Sequence, residues 1–169
     1  LRSNSVYSLL VDRDGLIWVG FYQLGLDYTL YQSELFHTYS YPPYFDTKDM
    51  PVRTITFRGS EKLIGSRDGL YFIDEQRGRY AGFSAPQLRS SMIICSYAFQ
   101  GKYYIGTYGG GMYVLDPVTL TISDFEPHVV QPFVKGQIFC IKSDMEGCLW
   151  IGTSVGLFRY KDGRMLNHY

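Results

Sequence analysis

Apolar and polar positions alternate over short stretches, and clusters of Gly, Asp, Ser and Pro break each stretch after a few residues. Alternation of period two belongs to a strand with one buried face, whereas a helix repeats every 3.6 residues. No stretch has the apolar spacing of a long amphipathic helix, so almost no helix is expected. The pattern falls into four units. The first predicts strands over 6–11, 16–19, 26–31 and 35–39. The second predicts strands over 52–57, 62–64, 70–73 and 79–83, and the third over 93–99, 102–105, 112–115 and 121–125. The fourth predicts strands over 137–143, 148–151, 157–160 and 164–169. Proline-bearing links at 40–51, 84–91 and 126–136 separate the units, which span about 5–40, 52–84, 92–126 and 137–169 of a single segment, 1–169.

One phrase organises these units. Asp144-Met145-Glu146-Gly147 reads as a tight acidic turn, Cys148-Leu149-Trp150-Ile151 as a buried strand, and Gly152 closes it. Asp12-Arg13-Asp14-Gly15-Leu16-Ile17-Trp18-Val19-Gly20 repeats the phrase near the start. Lys62-Leu63-Ile64-Gly65 and Lys102-Tyr103-Tyr104-Ile105-Gly106 are weaker copies. The closing glycine recurs at intervals of 45, 41 and 46 residues. A period in this range, with four short strands per repeat, marks the blade of a β-propeller. A lone four-stranded sheet has two faces to cover, and stacking sheets radially covers them. The expected fold is therefore all-β: four four-stranded antiparallel blades, part of a larger propeller.

Composition narrows the partners. Lys+Arg and Asp+Glu are both 16, so the net charge is zero and nothing draws the whole chain to nucleic acid or an anionic membrane. Aromatic residues reach 17%, which suits strands and excludes disorder. No apolar run approaches the roughly 18 residues of a membrane helix. The sequence opens on Leu1 without a leader pattern, which reads as a piece cut from a longer chain.

The chemistry-bearing motifs mostly resolve into structure. Asp12-x-Asp14-Gly15 resembles the start of a calcium loop, but Leu16 stands where another oxygen is needed, so a tight turn is expected and no metal. Tyr108-Gly109-Gly110-Gly111 lacks the Gly-Lys-Ser/Thr and the helix of a phosphate loop. No cofactor is expected. Trp18 and Trp150 share one repeat position and read as packing between blades. The three histidines share no zinc spacing. The cysteines, 95, 140 and 148, read as small buried thiols. A register with Ser143 opposite Cys148 would point Cys140 and Cys148 to opposite faces and keep them unbridged.

The phrase Asp144-x-Glu146-Gly147-x-Leu149-Trp150-Ile151-Gly152-Thr153-x-x-Gly156-Leu157 resembles the two-component regulator propeller repeat. Blade four matches nearly every position. Blade one matches up to Gly20, then has Phe21 for the usual Thr and a turn one residue longer, ending at Gly25. Blades two and three keep Ile-Gly and the following Gly with an apolar residue, without the acidic turn or Trp. The resemblance implies the periplasmic sensor region of a hybrid histidine kinase/response regulator, an inner-membrane protein of Gram-negative gut bacteria. It implies a propeller that recognises a ligand, often an oligosaccharide, and passes a signal through the membrane. No kinase, receiver or DNA-binding segment lies in the chain.

Links and second-to-third-strand turns should share one face around the central channel. They carry Tyr22, Gln23, Tyr41, Tyr44, Arg67, Asp68, Tyr108 and Ser154, a mixture suited to stacking on sugar rings and bonding hydroxyls. These are the candidate ligand-binding residues, and no catalytic residue is assigned. The leading reading is a non-catalytic ligand-sensing segment. A polysaccharide lyase or glycosidase would need a facing carboxylate pair, of which only Asp68 is in view. A pure interaction scaffold is the third reading. An arc starting on an inner strand and ending on an outer one leaves two faces for further blades or a second copy of the chain to cover.

Overall fold

The computed structural model describes residues 4–21, 25–30, 37–39, 51–125 and 132–169. Four antiparallel sheets of four strands each follow one another along the chain, each ordered as a simple meander. Blade one comprises β1 (Val6–Val11), β2 (Leu16–Phe21), β3 (Leu26–Leu30) and β4 (His37–Tyr39). Blade two comprises β5 (Val52–Arg58), β6 (Glu61–Ser66), β7 (Leu70–Asp74) and β8 (Arg79–Phe83). Blade three comprises β9 (Ile93–Phe99), β10 (Lys102–Thr107), β11 (Met112–Asp116) and β12 (Thr121–Asp124). Blade four comprises β13 (Ile138–Ser143), β14 (Leu149–Thr153), β15 (Gly156–Lys161) and β16 (Arg164–His168). The all-β propeller architecture is thus present. Helix among the described residues is confined to a 3-10 turn at Glu75–Arg77 and one four-residue helix, α1 (Pro132–Lys135). The first strand of each blade packs on the first strand of the next, so β1, β5, β9 and β13 form the inner wall of the arc.

Three apolar cores lie between consecutive blades. Trp18, Leu26 and Leu10 of blade one meet Val52, Ile64 and Ile73 of blade two. Leu63, Leu70 and Phe72 meet Ile93, Tyr103 and Ile105 across the next interface. Met112 and Phe125 meet Ile138, Leu149, Ile151 and Phe158 across the last, where Phe133 from α1 is also seated. Fully burying one such side chain stabilises by about 1.5–3 kcal/mol, so these interfaces, rather than any helix, hold the arc.

The repeat glycines are sockets. A Cβ on Gly65 would lie 2.5 Å from Cγ2 of Ile93, and one on Gly106 would lie 2.7 Å from Cγ2 of Ile138. On Gly20 it would meet Val52 at 3.2 Å. The first residue of each following blade is therefore the plug that fills the socket. On Gly152 the contact is Cys140 of its own blade, and no residue of another blade lies within 4 Å.

Three details depart from the sequence reading. The β13–β14 register sets Ser143 opposite Leu149 and Cys140 opposite Gly152, one step from the expected pairing. The Asp144 carboxylate closes the turn on the Cys148 N–H at 2.8 Å, and Asp144 N–H donates to the Cys148 carbonyl at 3.0 Å. That bond consumes the step, and a one-residue shift exchanges faces. Cys140 and Cys148 therefore share a face, four positions apart along it, and both are free. Burial also differs: Cys148 is buried, Cys95 half-buried and Cys140 exposed. The tryptophans differ too. Trp18, 3% exposed, is covered by Phe57 and Lys62 of blade two. Trp150 is half-buried, and its own blade supplies Arg159 and Tyr169 against it.

Candidate functional site

The second-to-third-strand turns are held by a repeated hydroxyl. Ser66, Thr107 and Thr153 each follow the socket glycine, and each donates across its turn, to the carbonyls of Gly69, Gly111 and Gly156 at 3.0, 2.7 and 2.9 Å. Each hydroxyl accepts a backbone N–H in return, from Gly69, Gly110 and Val155. Phe21 has no hydroxyl to offer, and in blade one Phe21 N–H donates to the Gly25 carbonyl across the turn, as Ser66 N–H does to Gly69 and Thr107 N–H to Gly111. The turns are tied to the ends of the links: Arg67 N–H donates to Pro51, Tyr108 to Met92 and Ser154 to Gln137. Arg67, Asp68, Tyr108 and Ser154 are thus exposed along one rim of the arc, each pair or residue on its own blade. Tyr22, Gln23, Tyr41 and Tyr44 lie outside the described residues.

Among the described residues two cavities open elsewhere, and neither is lined by those rim residues. The smaller, about 300 Å³, lies on the inner wall between Leu9, Arg53, Thr54, Ser96, Phe139 and Lys142. All four inner strands contribute, so it occupies the channel itself. Thr54 and Ser96 meet there, with Ser96 Oγ at 2.9 Å from Thr54 Oγ1, and Ser96 Oγ also lies 2.7 Å from Oγ1 of Thr56, which lines the larger cavity. Sequence reasoning missed these positions, because a polar residue in an alternating strand reads only as the solvent face.

The larger cavity, about 860 Å³, opens at the opposite end of the channel, where first-to-second-strand turns gather. Asp12, Arg13, Trp18, Lys62, Tyr97 and Lys142 are among its walls. Of its three carboxylates Asp14 is exposed, while Asp12 and Glu75 are engaged. Asp12 Oδ1 accepts from the N–H groups of Asp14 and Leu16 at 3.0 and 2.9 Å, and Oδ2 from Trp18 Nε1 at 2.8 Å. Glu75 pairs with Lys62 at 3.1 Å. Gly15, at φ +79°, supplies the left-handed step that lets this turn close.

Blade four repeats the arrangement. Asp144 Oδ1 accepts from Glu146 and Cys148, and Oδ2 from Trp150 Nε1 at 2.8 Å. The indole N–H, then the Cys148 N–H, hold the Asp144 carboxyl down to about 2. Asp144, Glu146 and Cys148 could each turn one ligand atom toward a shared point. Asp144 is occupied by its turn and indole, and Glu146 by Arg159, so the group reads as a turn staple.

Burial, then the nearby Cys140, pushes the Cys95 thiol up to about 12, which keeps it protonated. The buried carboxylates Glu61 and Asp74 are bound into blade two, Glu61 by Arg58 at 2.7 Å and Tyr103 at 3.0 Å, Asp74 by Arg77 and Ser60. The walls of the two cavities offer hydroxyls, rings and cations.

Comparison with known proteins agrees with this geometry. Residues 1–23 and 132–155 match the two component regulator propeller family. No curated protein matches the chain in sequence. The extracellular domain of BT3049 from B. thetaiotaomicron, described as a hybrid two component system, superposes with a TM-score of 0.78 at 25% identity, over 99% of this chain and 24% of that one. The extracellular domain of BT4673 from the same organism, described as a one component system, gives 0.64 at 21% identity over 98% and 28%. The WD40 domain of Neurospora crassa Pan2 shares the fold, with 0.68 at 12% identity over 98% and 49%. The chain spans roughly a quarter of the two bacterial domains. No helix among the described residues is long and apolar enough to cross a membrane. The chain is therefore an arc of propeller blades whose stretches 1–23 and 132–155 resemble the two component regulator propeller repeat.

Proposed function

We propose that this chain is a ligand-sensing part of the extracytoplasmic propeller of a hybrid two-component sensor, that it lies in the periplasm, and that it binds an oligosaccharide without cleaving it. The observation that carries the reading is its superposition along 99% of its length on an extracellular domain described as belonging to such a system. The open channel supports it with hydroxyls at Thr54 and Ser96 and a half-exposed ring at Phe139. The rim adds Arg67, Asp68, Tyr108 and Ser154, with the same mixture of ring, charge and hydroxyl. Asp12 is engaged by its turn and indole and Glu75 by Lys62, which leaves Asp14 as a lone carboxylate of that cavity, and this favours binding over hydrolysis, which needs an acid/base pair. Signalling through the membrane belongs to parts of the sensor outside this chain.

The test is calorimetric titration of the chain with an oligosaccharide panel, with chromatography of the mixtures afterwards. Binding of at least one member with every sugar recovered intact is the expected result. Shortened products would make the chain an enzyme, and silence across the panel would leave an interaction scaffold.

A further inference from the structure

All four inner strands carry a bulge at the same place. The register skips between Val6 and Ser8, Val52 and Thr54, Ile93 and Cys95, and Ile138 and Cys140. The extra residues are Tyr7, Arg53, Ile94 and Phe139. A bulge leaves its extra residue out of the ladder and re-aims it, and bulges recur beside binding sites. Two of these residues, Arg53 and Phe139, line the channel cavity.

Arg53 combines a shielded, unpartnered Nε with the lack of an ion pair among the described residues, whereas Arg159, whose Nε is also unpartnered, pairs with Asp144 and Glu146. Arg58, Arg77, Arg89 and Arg159 all have carboxylate partners, and Arg79 donates to backbone carbonyls. Arg53 has no ion pair among the described residues, and its Nε is shielded from water with no hydrogen-bond partner. A buried donor left unsatisfied is costly, and one that is charged more so. The second cation of the cavity, Lys142, lies 5.2 Å from the Tyr97 ring centre, and no carboxylate is among the cavity walls. Phe139, 46% exposed, offers an apolar ring in the same cavity.

We infer that the channel is an oxyanion site, and that the oligosaccharide is acidic, its carboxylate or sulfate held by Arg53. The inference rests on the sugar-sensing reading above and names the class of sugar. A planar guanidinium meets a carboxylate or sulfate with two parallel N–H donors. Lys142 adds a second positive charge, and the sugar ring lies against Phe139.

The experiment titrates the chain with trigalacturonate, with its neutral counterpart galactotriose and with a sulfated galactose oligomer, at low and at physiological salt. Tighter binding of either acidic sugar than of the neutral one, weakened by salt, is expected. R53Q should weaken acidic binding about tenfold or more and leave neutral binding as it was. K142Q should weaken it by a smaller factor. Lys142 is exposed, so this variant keeps its fold and tests the pocket even if R53Q melts. Neutral sugar bound as tightly as acidic sugar, or acidic binding indifferent to both variants, overturns the oxyanion site while the sensing reading stands. Silence toward all three, with another neutral sugar of the wider panel bound, overturns the site in the same way. Silence toward every sugar overturns both.

Discussion

Asp144 closes its own turn with one carboxylate oxygen and grips the Trp150 indole with the other, and Asp12 treats Trp18 identically six residues on. The Asp144 carboxyl, held near 2 chiefly by that indole, is a depressed carboxylate. Its contribution to stability is present above the ordinary carboxylate pKa of about 4 and is lost as pH falls through the folded value near 2. Trp150→Phe keeps a ring and removes the N–H. It should raise the Asp144 midpoint in a carbon-detected NMR titration and flatten the loss of stability over that acid window. An unmoved midpoint would mean that the backbone donors alone hold the carboxylate. The spacing from aspartate to tryptophan was legible in the sequence, since both copies repeat it. Its cause was not, because the turn must curl before residue i can reach the side chain of i+6. Arg53 was less legible still: its channel position depends on a bulge, and a bulge leaves no mark in an alternating strand.

At the scale of the strand, the repeat glycine works with a residue from the next blade. Gly65→Ala would drive a methyl into Ile93 and Thr54, both at 2.5 Å, where neither side can retreat without opening the interface. Overpacking of this kind costs about 1–3 kcal/mol. Gly152→Ala meets only Cys140, a single side chain at the open face, and should cost clearly less. Urea unfolding of the two variants measures the difference, and equal losses would show that the glycines serve backbone geometry instead of interface packing. The strands themselves were readable from alternation, with their described boundaries within two residues of the expected ones. What alternation could not show was the partner of each glycine. Gly65 and Ile93 are brought together by stacking of sheets, and no local pattern links them.

For the arc as a whole, exposed apolar side chains gather at the two ends. Val6, Leu9 and Val11 on β1 are 42%, 67% and 66% exposed, while Val52 and Ile93, at the position of Val6, are fully buried. At the other end Gly152 stands without a plug from a neighbouring blade. Val6 is thus a free plug and Gly152 a free socket, with exposure costing about 25 cal/mol per Å² of apolar area. Two copies joined plug to socket at both ends would close a twofold ring, each using the same pair of patches. The purified chain is expected to self-associate in sedimentation equilibrium, and Val6→Asp to abolish it. A monomer at every concentration would show that the ends stay open or are covered within one chain. The sequence foretold open ends from its order of strands. That the ends are complementary emerged only from the sockets.

The socket and its plug also bear on how such chains change length. Each repeat carries one of each, the plug at its first strand and the glycine at its second. A duplication or deletion that breaks within two links therefore moves a whole blade together with both halves of its fit. Its new neighbours present the same glycine and a β-branched residue, so the junction needs no compensating change. Unequal exchange between repeats, ruinous in a protein with one shared core, becomes in this architecture a tolerated route to longer and shorter arrays.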